Sequence, residues 1–252
     1  MSETNRTIEV LSQQELGRLS DSPPILAPIE GDLGRVKLAS STLAIPSESG
    51  KETATITKLS TYSDLCVVGY YYGPSPCFKI NQESLRTFLE GDRSVSERGG
   101  QDNVSVLLST RLPSYNIAQL SNNRDVIVSV YAMADLSPED AVAIVGHERG
   151  HAYYFHEKQR PGLIDMLKTP DMVRKQEVVA AIRGQEFAAD CWAGRRKGLG
   201  ALRVIHALVN ASALAAKEMG QIVYDGDWTH PGLLDRANHI RSCVQEVSSS
   251  AP

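Results

Sequence analysis

Two histidines and a glutamate decide what chemistry this chain can do. His147, Glu148 and His151 stand in the run HERGH, an H-E-x-x-H spacing. An α-helix turns about 100° per residue, so positions i and i+4 differ by about 40° and by about 6 Å of rise. Both imidazoles then leave one face and can grip one metal ion. Glu148, one residue beyond the first of them, can reach a water activated by that ion without being a ligand itself.

A hydrolytic zinc site usually has three protein ligands and one open position. Two sources of the third ligand differ in spacing. A one-segment, three-histidine site needs Gly three residues after the second His and His six after. Those positions hold Tyr154 and Glu157, and His156 is one place out of phase. The other source is a glutamate on a second helix. Glu186 fits, in the run QEFAAD, where small and apolar neighbours let two helices approach closely. Asp190, one turn further on, can accept a hydrogen bond from the outer nitrogen of a ligating imidazole and fix its tautomer.

The flanking sequence supplies the elements that must hold these groups. Ser137 suits an N-cap, Pro138 the first helical position, and Glu139 and Asp140 the positive end of the helix dipole. Ser137 and Asp140 resemble a capping box with Asp in place of Glu. The six residues before HERGH, AVAIVG, are apolar on every side, as in a buried helix. Buried His and Glu need a partner or a metal. This helix is expected to reach Arg160 and break at Pro161–Gly162. A long helix from Thr169-Pro170-Asp171 to about Lys197 carries Glu186 and Asp190. Further helices follow over Leu199–Met219 and from Pro231. Ahead of them, alternating β-branched stretches (residues 36–45, 53–59 and 65–72, then 104–112 and 125–131) predict short strands, with Ser121–Arg124 a turn. Asn81–Glu90 predicts a helix with Leu85, Phe88 and Leu89 on one face, followed by a loop over Asp92–Asp102. Tyr70, Tyr71 and Tyr72 read as the two faces of one strand.

The expected fold is thus α+β: a helical C-terminal half and a small mixed or antiparallel sheet from the N-terminal half. Residues 1–30, with Pro23, Pro24 and Pro28, read as a flexible arm with a short helix near Gln13–Ser20. Residues 31–103 are a strand-rich part of the same domain, 104–247 the core, and 248–252 a disordered tail.

Bulk properties narrow the classes. A net charge of −4 and a pI near 5.9 argue against a nucleic-acid surface. No stretch reaches the ~18 apolar residues of a membrane span. The N-terminus lacks a basic start followed by an apolar run, so it does not read as a secretory signal. None of the four cysteines lies in a C-x-x-C pair. The expectation is a cytoplasmic protein with reduced thiols, in which the sequons at Asn5, Asn103 and Asn210 carry no glycan. Cys77, in the run PSPC, is the only candidate for a metal-blocking pro-segment thiolate, and reads more simply as a small buried apolar residue.

The pair HERGH and EFAAD resembles the HExGH and ExxAD pair of gluzincin zinc peptidases of the HtpX and CAAX prenyl endopeptidase type. Asn116-Ile117-Ala118 followed by VIVS resembles that family's Asn-Ala strand and the strand before its zinc helix. Thr229-His230-Pro231 with Arg236 resembles its T-H-P-x-x-x-x-R segment. The resemblance covers residues 104–247 in order, but not the family's membrane helices, and Arg149 and Ile117 depart from its usual residues. It implies a zincin-like metalloprotease domain binding one zinc ion per chain through His147, His151 and Glu186. It further implies Glu148 as general base in peptide-bond hydrolysis, His230 as oxyanion donor and Asn116 as a substrate contact on a strand edge. Arg236 is a partner for Asp190 or another site carboxylate. A peptide or protein is then the substrate. Two other readings stay open: a zinc-binding regulatory protein on the same fold, and a hydrolase or tailoring enzyme acting on a non-peptide amide. His206 and His239 read as structural or solvent-facing.

Overall fold

The computed structural model describes residues 19, 21–29, 47–48, 51–66, 77–96, 104–109, 111–112, 116–168, 170–196, 198–219, 226–227 and 229–249. The strands are β1 (Leu26–Pro28), β2 (Ser47–Glu48), β3 (Lys51–Thr55), β4 (Asp64–Cys66), β5 (Cys77–Ile80), β6 (Val106–Ser109), β7 (Ala118–Leu120) and β8 (Val126–Ser129). The helices are α1 (Gln82–Ser96), α2 (Ala132–Asp135), α3 (Pro138–Tyr153), α4 (His156–Met166), α5 (Met172–Gly194), α6 (Gly200–Met219) and α7 (Leu233–Ser249). The fold is α+β, as the patterning predicts, but with two sheets in place of one. An antiparallel sheet runs β1-β5-β4, and a mixed sheet runs β2-β3-β6-β8-β7. In the mixed sheet β6 and β8 are parallel, and β7 lies antiparallel to β8 at the edge.

Helix α3 is the axis of the helical half and packs against α5, α1 and α6. Ala141, Val142, Ala143, Ile144 and Val145 are all buried, which is why the segment carries no polar face. The Ser137 side chain caps α3 by accepting the Asp140 amide. Asp140 does not complete a capping box, however. Its carboxylate turns to α6 and accepts from Arg203 Nη1, His206 Nδ1 and Asn210 Nδ2 at 3.1, 2.8 and 2.7 Å. Arg203 Nη1 also reaches Asp21 at 2.6 Å.

That bond, with Ser22 Oγ donating to Glu139 and Ile25 and Leu26 in the core, docks residues 21–29 onto the body. Apolar burial and β1–β5 pairing thus outweigh the prolines, and this part of the expected arm is ordered structure. All but one residue of the helix expected near Gln13–Ser20 falls outside the described residues. So do residues 36–45, the three tyrosines, Asn5 and Asn103.

Several element boundaries differ from expectation, among them the strand expected over 53–59, which ends at Thr55 where a 3-10 helix over Ile56–Thr61 begins. Helix α1 continues to Ser96, so Asp92 is helical and takes a bidentate bond from Arg149 at 3.0 and 2.9 Å. Arg149 is therefore a buried tie between α3 and α1. Helix α3 stops at Tyr153, not Arg160: Phe155 adopts a left-handed conformation (φ 58°), and Pro161 falls inside α4. The last helix begins at Leu233, two residues after Pro231, which forms an isolated bridge with Gly226.

The cysteines correct a further expectation. Cys191 on α5 and Cys243 on α7 form a disulfide, and Cys77 is disulfide-bonded too. The reading of reduced thiols does not hold, and Cys77 offers no thiolate to a metal. Such bonds persist in oxidising surroundings. No helix among the described residues is long and apolar enough to cross a membrane.

Two expected outcomes follow. A Cβ on Gly150 would lie 2.8 Å from Ala189 Cα and 2.9 Å from its carbonyl oxygen, against rigid backbone. Gly150→Ala should therefore cost about 1–3 kcal/mol in urea unfolding; a variant as stable as wild type would refute a fixed α3–α5 spacing. For the Asp140 cluster, burial opposes the carboxylate's charge, but His206, Asn210 and Arg203 hold its pKa below the ordinary value. The bond to Asp140 in turn raises that of His206. Stability from Asp140 is present above the ordinary carboxylate pKa and lost as pH falls through its lowered value. Stability from His206 is present below its ordinary pKa and lost as pH rises through its raised value. Asp140→Asn should thus cost most, about 3 kcal/mol, between roughly pH 4 and 6.5, and less on either side. A flat difference across unfolding curves from pH 3 to 9 would contradict this.

Candidate metal centre

Helices α3 and α5 cross so that their functional side chains meet. His147 Nε2 and His151 Nε2 are 3.1 Å apart. Glu186 Oε2 lies 3.3 Å from His147 Nε2, and Oε1 lies 3.5 Å from His151 Nε2. An ion bound tetrahedrally at the zinc–nitrogen distance of about 2.0–2.1 Å requires donors about 3.3–3.4 Å apart. The His147–His151 and His147–Glu186 Oε2 separations lie close to that value, while the oxygen of Glu186 nearest His151 is Oε1, the other oxygen of the carboxylate. All three residues are buried, Glu186 completely. Glu186 Oε2 is buried without a hydrogen-bond partner, which is costly for a carboxylate oxygen unless a cation faces it. The donor set of two imidazoles and a carboxylate suits a divalent transition metal.

Outer contacts fix each of these groups. His147 Nδ1 bonds to Asp190 Oδ1 at 2.8 Å, which leaves Nε2 facing Glu186 and His151. Asp190 is itself gripped by Arg236, Nε to Oδ2 and Nη2 to Oδ1, both at 2.7 Å. The sequence left the partner of Arg236 open between Asp190 and another carboxylate; it is Asp190. Two further contacts carried no recognised sequence signal. His156 Nδ1 lies 2.7 Å from His151 Nδ1, and Arg160 Nη2 donates to Glu186 Oε1 at 2.9 Å. His156 is out of phase for a ligand, and its spacing says nothing of a role behind one.

The electrostatics favour positive charge at the centre. Burial opposes charging of His147, yet Asp190 and Glu186 raise its pKa to about 9. Burial would also push the Glu186 and Asp190 carboxyls up. The two imidazoles hold Glu186 well below the ordinary carboxylate value, and Arg236 and His147 lower Asp190. Burial and the neighbouring His151 lower His156 to about 4, so its ring is neutral.

A cavity of about 300 Å³ opens on the triad, lined by Glu148, Ala118, Gln119, Leu120 and His230 among others. Glu148 is half-buried on the cavity side of α3. Residues 118–120 are the edge strand β7. Asn116 lines the cavity just before it and donates to Gln119 Oε1 at 3.4 Å. His230 is exposed, with Nε2 3.7 Å from Glu186 Oε2. Thr229 Oγ donates to Asp227 and must therefore accept from His230 Nδ1, at 2.6 and 2.7 Å. Donation from His230 Nε2 to an oxyanion thus needs a second proton on the ring. His239 packs against the Phe187 ring and His206 serves the Asp140 cluster, both away from the cavity. The cluster Asp21, Asp140 and His206 also brings potential ligands together, but Arg203 already supplies the positive charge between its carboxylates.

Comparison of the chain with protein-family models, with curated proteins and with solved structures finds no match. The donor geometry therefore has to carry the functional reading.

Loss of the outer carboxylate tests that geometry. Asp190→Asn should weaken divalent-metal binding by about 10–100-fold in chelator competition, with the fold retained by circular dichroism. Undiminished affinity would remove Asp190 from the metal centre.

Proposed function

We propose that this chain is a zinc-dependent endopeptidase of the gluzincin type, with one zinc ion per chain on His147, His151 and Glu186. The observation that carries the reading is the convergence of these three donors, within 4.8 Å of one another, on a cavity that also holds Glu148 and is bordered by a strand edge. Supporting it are the order and spacing of HERGH, EFAAD and the Thr229–Arg236 segment. Bound there, zinc would polarise a water and a substrate carbonyl.

The chain's own groups divide the remaining work. Glu148 accepts the proton of the attacking water and delivers it to the leaving amine. The edge of β7, unpaired among the described residues, pairs with an extended peptide through main-chain hydrogen bonds, and Asn116 holds its side at the start of that strand. His230 is placed to donate to the developing oxyanion, which needs a second ring proton that burial disfavours by lowering its pKa. Asp227 and Thr229 orient the ring for this. Asp190, braced by Arg236, keeps His147 in the ligating tautomer. A peptide or protein segment in extended conformation is the substrate class that an edge strand of this kind accepts.

Glu148→Gln separates binding from chemistry. The variant should keep about one zinc per chain by metal analysis. It should lose cleavage of a peptide library by about 10²–10⁴-fold. Cleavage at the wild-type rate in this variant would sink the mechanism.

A further inference from the structure

Helix α3 ends two residues after its second histidine, and the chain reverses there through a residue ill suited to the conformation. Phe155 is left-handed, a region that bulky residues seldom enter and that costs of order 1 kcal/mol or more. The corner is held from outside. Arg124 Nη2 donates to Ala152 O at 3.0 Å, and its guanidinium lies 4.7 Å from the centre of the Phe155 ring. The result is that α4 starts at once and runs back along the metal centre. Its residues His156 and Arg160 are four apart and so share one helix face. That face meets two of the three candidate ligands.

We propose that α4 is the orienting element of the metal centre, with His156 and Arg160 as positioning residues. The inference rests on the metal-binding reading above and assigns two residues that reading does not use. A neutral His151 that ligates through Nε2 carries its proton on Nδ1, and His156 Nδ1, 2.7 Å away, is placed to accept it and hold that tautomer. Arg160 occupies Glu186 Oε1 and so leaves Oε2, the oxygen without a partner, to face the ion. Each of the three ligands then has one outer partner: Asp190 for His147, His156 for His151 and Arg160 for Glu186. His156 is itself buried and stacked on Tyr154, with ring centres 5.5 Å apart and planes 20° from parallel, so its own orientation is fixed. Arg160 lies at the cavity wall and holds Glu186 from the solvent side.

The test uses the full chain with zinc and with cobalt(II) alone, in the absence of any substrate. Arg160→Ala and His156→Ala are each expected to weaken zinc binding by about 10–100-fold in chelator competition. Arg160→Lys and His156→Gln keep a donor and an acceptor respectively, and should recover at least half of the lost affinity on a logarithmic scale. In the cobalt protein, Arg160→Ala should lower the visible absorption intensity as both Glu186 oxygens become free to ligate. Circular dichroism establishes the fold; should an alanine variant not fold, the Lys and Gln variants are read against Arg160→Gln and His156→Leu. Affinity within twofold of wild type and an unchanged cobalt spectrum in folded Arg160→Ala and His156→Ala would overturn the assignment of α4 while leaving the peptidase reading in place. Wild-type protein that binds zinc with the expected loss in the variants, but cleaves no peptide, would overturn the peptidase reading and support the role of α4.

Discussion

Everything at the centre depends on how closely α3 and α5 approach. The backbone of Ala189 touches Gly150 where any side chain would intervene. At that spacing a ligand pair on one helix and a carboxylate on the other can meet across a gap the size of one ion. A wider crossing would leave Glu186 buried with nothing to face, and a buried carboxylate without a partner is among the most costly arrangements in a protein. Close packing and donor geometry are therefore one constraint: the small residues around Gly150 and Ala189 set the distance, and the charged residues exploit it.

Burying so many charges requires that each be answered locally. Asp190 is answered by Arg236 and His147, Glu186 by Arg160 and the two imidazoles, Arg149 by Asp92, and Asp140 by Arg203 and His206. These networks lie on different sides of α3 and tie it to α7, α5, α4, α1 and α6. The helix that carries the candidate chemistry is thus held by directional bonds as well as by its apolar residues. Its rotation about its own axis, to which ligand geometry is sensitive, is fixed from several directions. Burial energy alone is non-directional and would not do this.

How much of this was legible in the sequence varied with the physics involved. The α3 start, the burial of AVAIVG and the shared face of His147 and His151 were readable because helical period and local capping dictate them, and Glu186 could be proposed from its small and apolar neighbours, though its meeting the histidines depends on how α5 packs on α3. So was the strand character of residues 106–109 and 126–129. The end of α3 was not. Pro161 looked like the break, but a tertiary contact from Arg124 stabilises a left-handed Phe155 earlier in the chain, and α4 continues through Pro161 although it lies beyond the first turn. Hence His156 and Arg160, whose positions depend on that corner, could not be placed by spacing. The pairing of Cys191 with Cys243 depends on the packing of α5 on α7, which periodicity does not encode. The order of residues 21–29 rests on Asp21 meeting Arg203, far away in sequence. Asp140 looked like half of a capping box because its true partners are supplied by another helix.

The disulfide has a consequence for assembly. It joins the residue after Asp190 to a residue two turns beyond Arg236, closing a span of 52 residues. With that bond in place, the carboxylate and the guanidinium that brace His147 never separate fully, even in an unfolded chain. Ring closure of this length removes roughly 4 kcal/mol worth of chain entropy from the unfolded ensemble. Each group sees the other at an effective concentration set by the tether and not by diffusion. The brace behind His147 is thus a preformed encounter, and the oxidised chain begins each folding event with one side of its metal centre already near its partner.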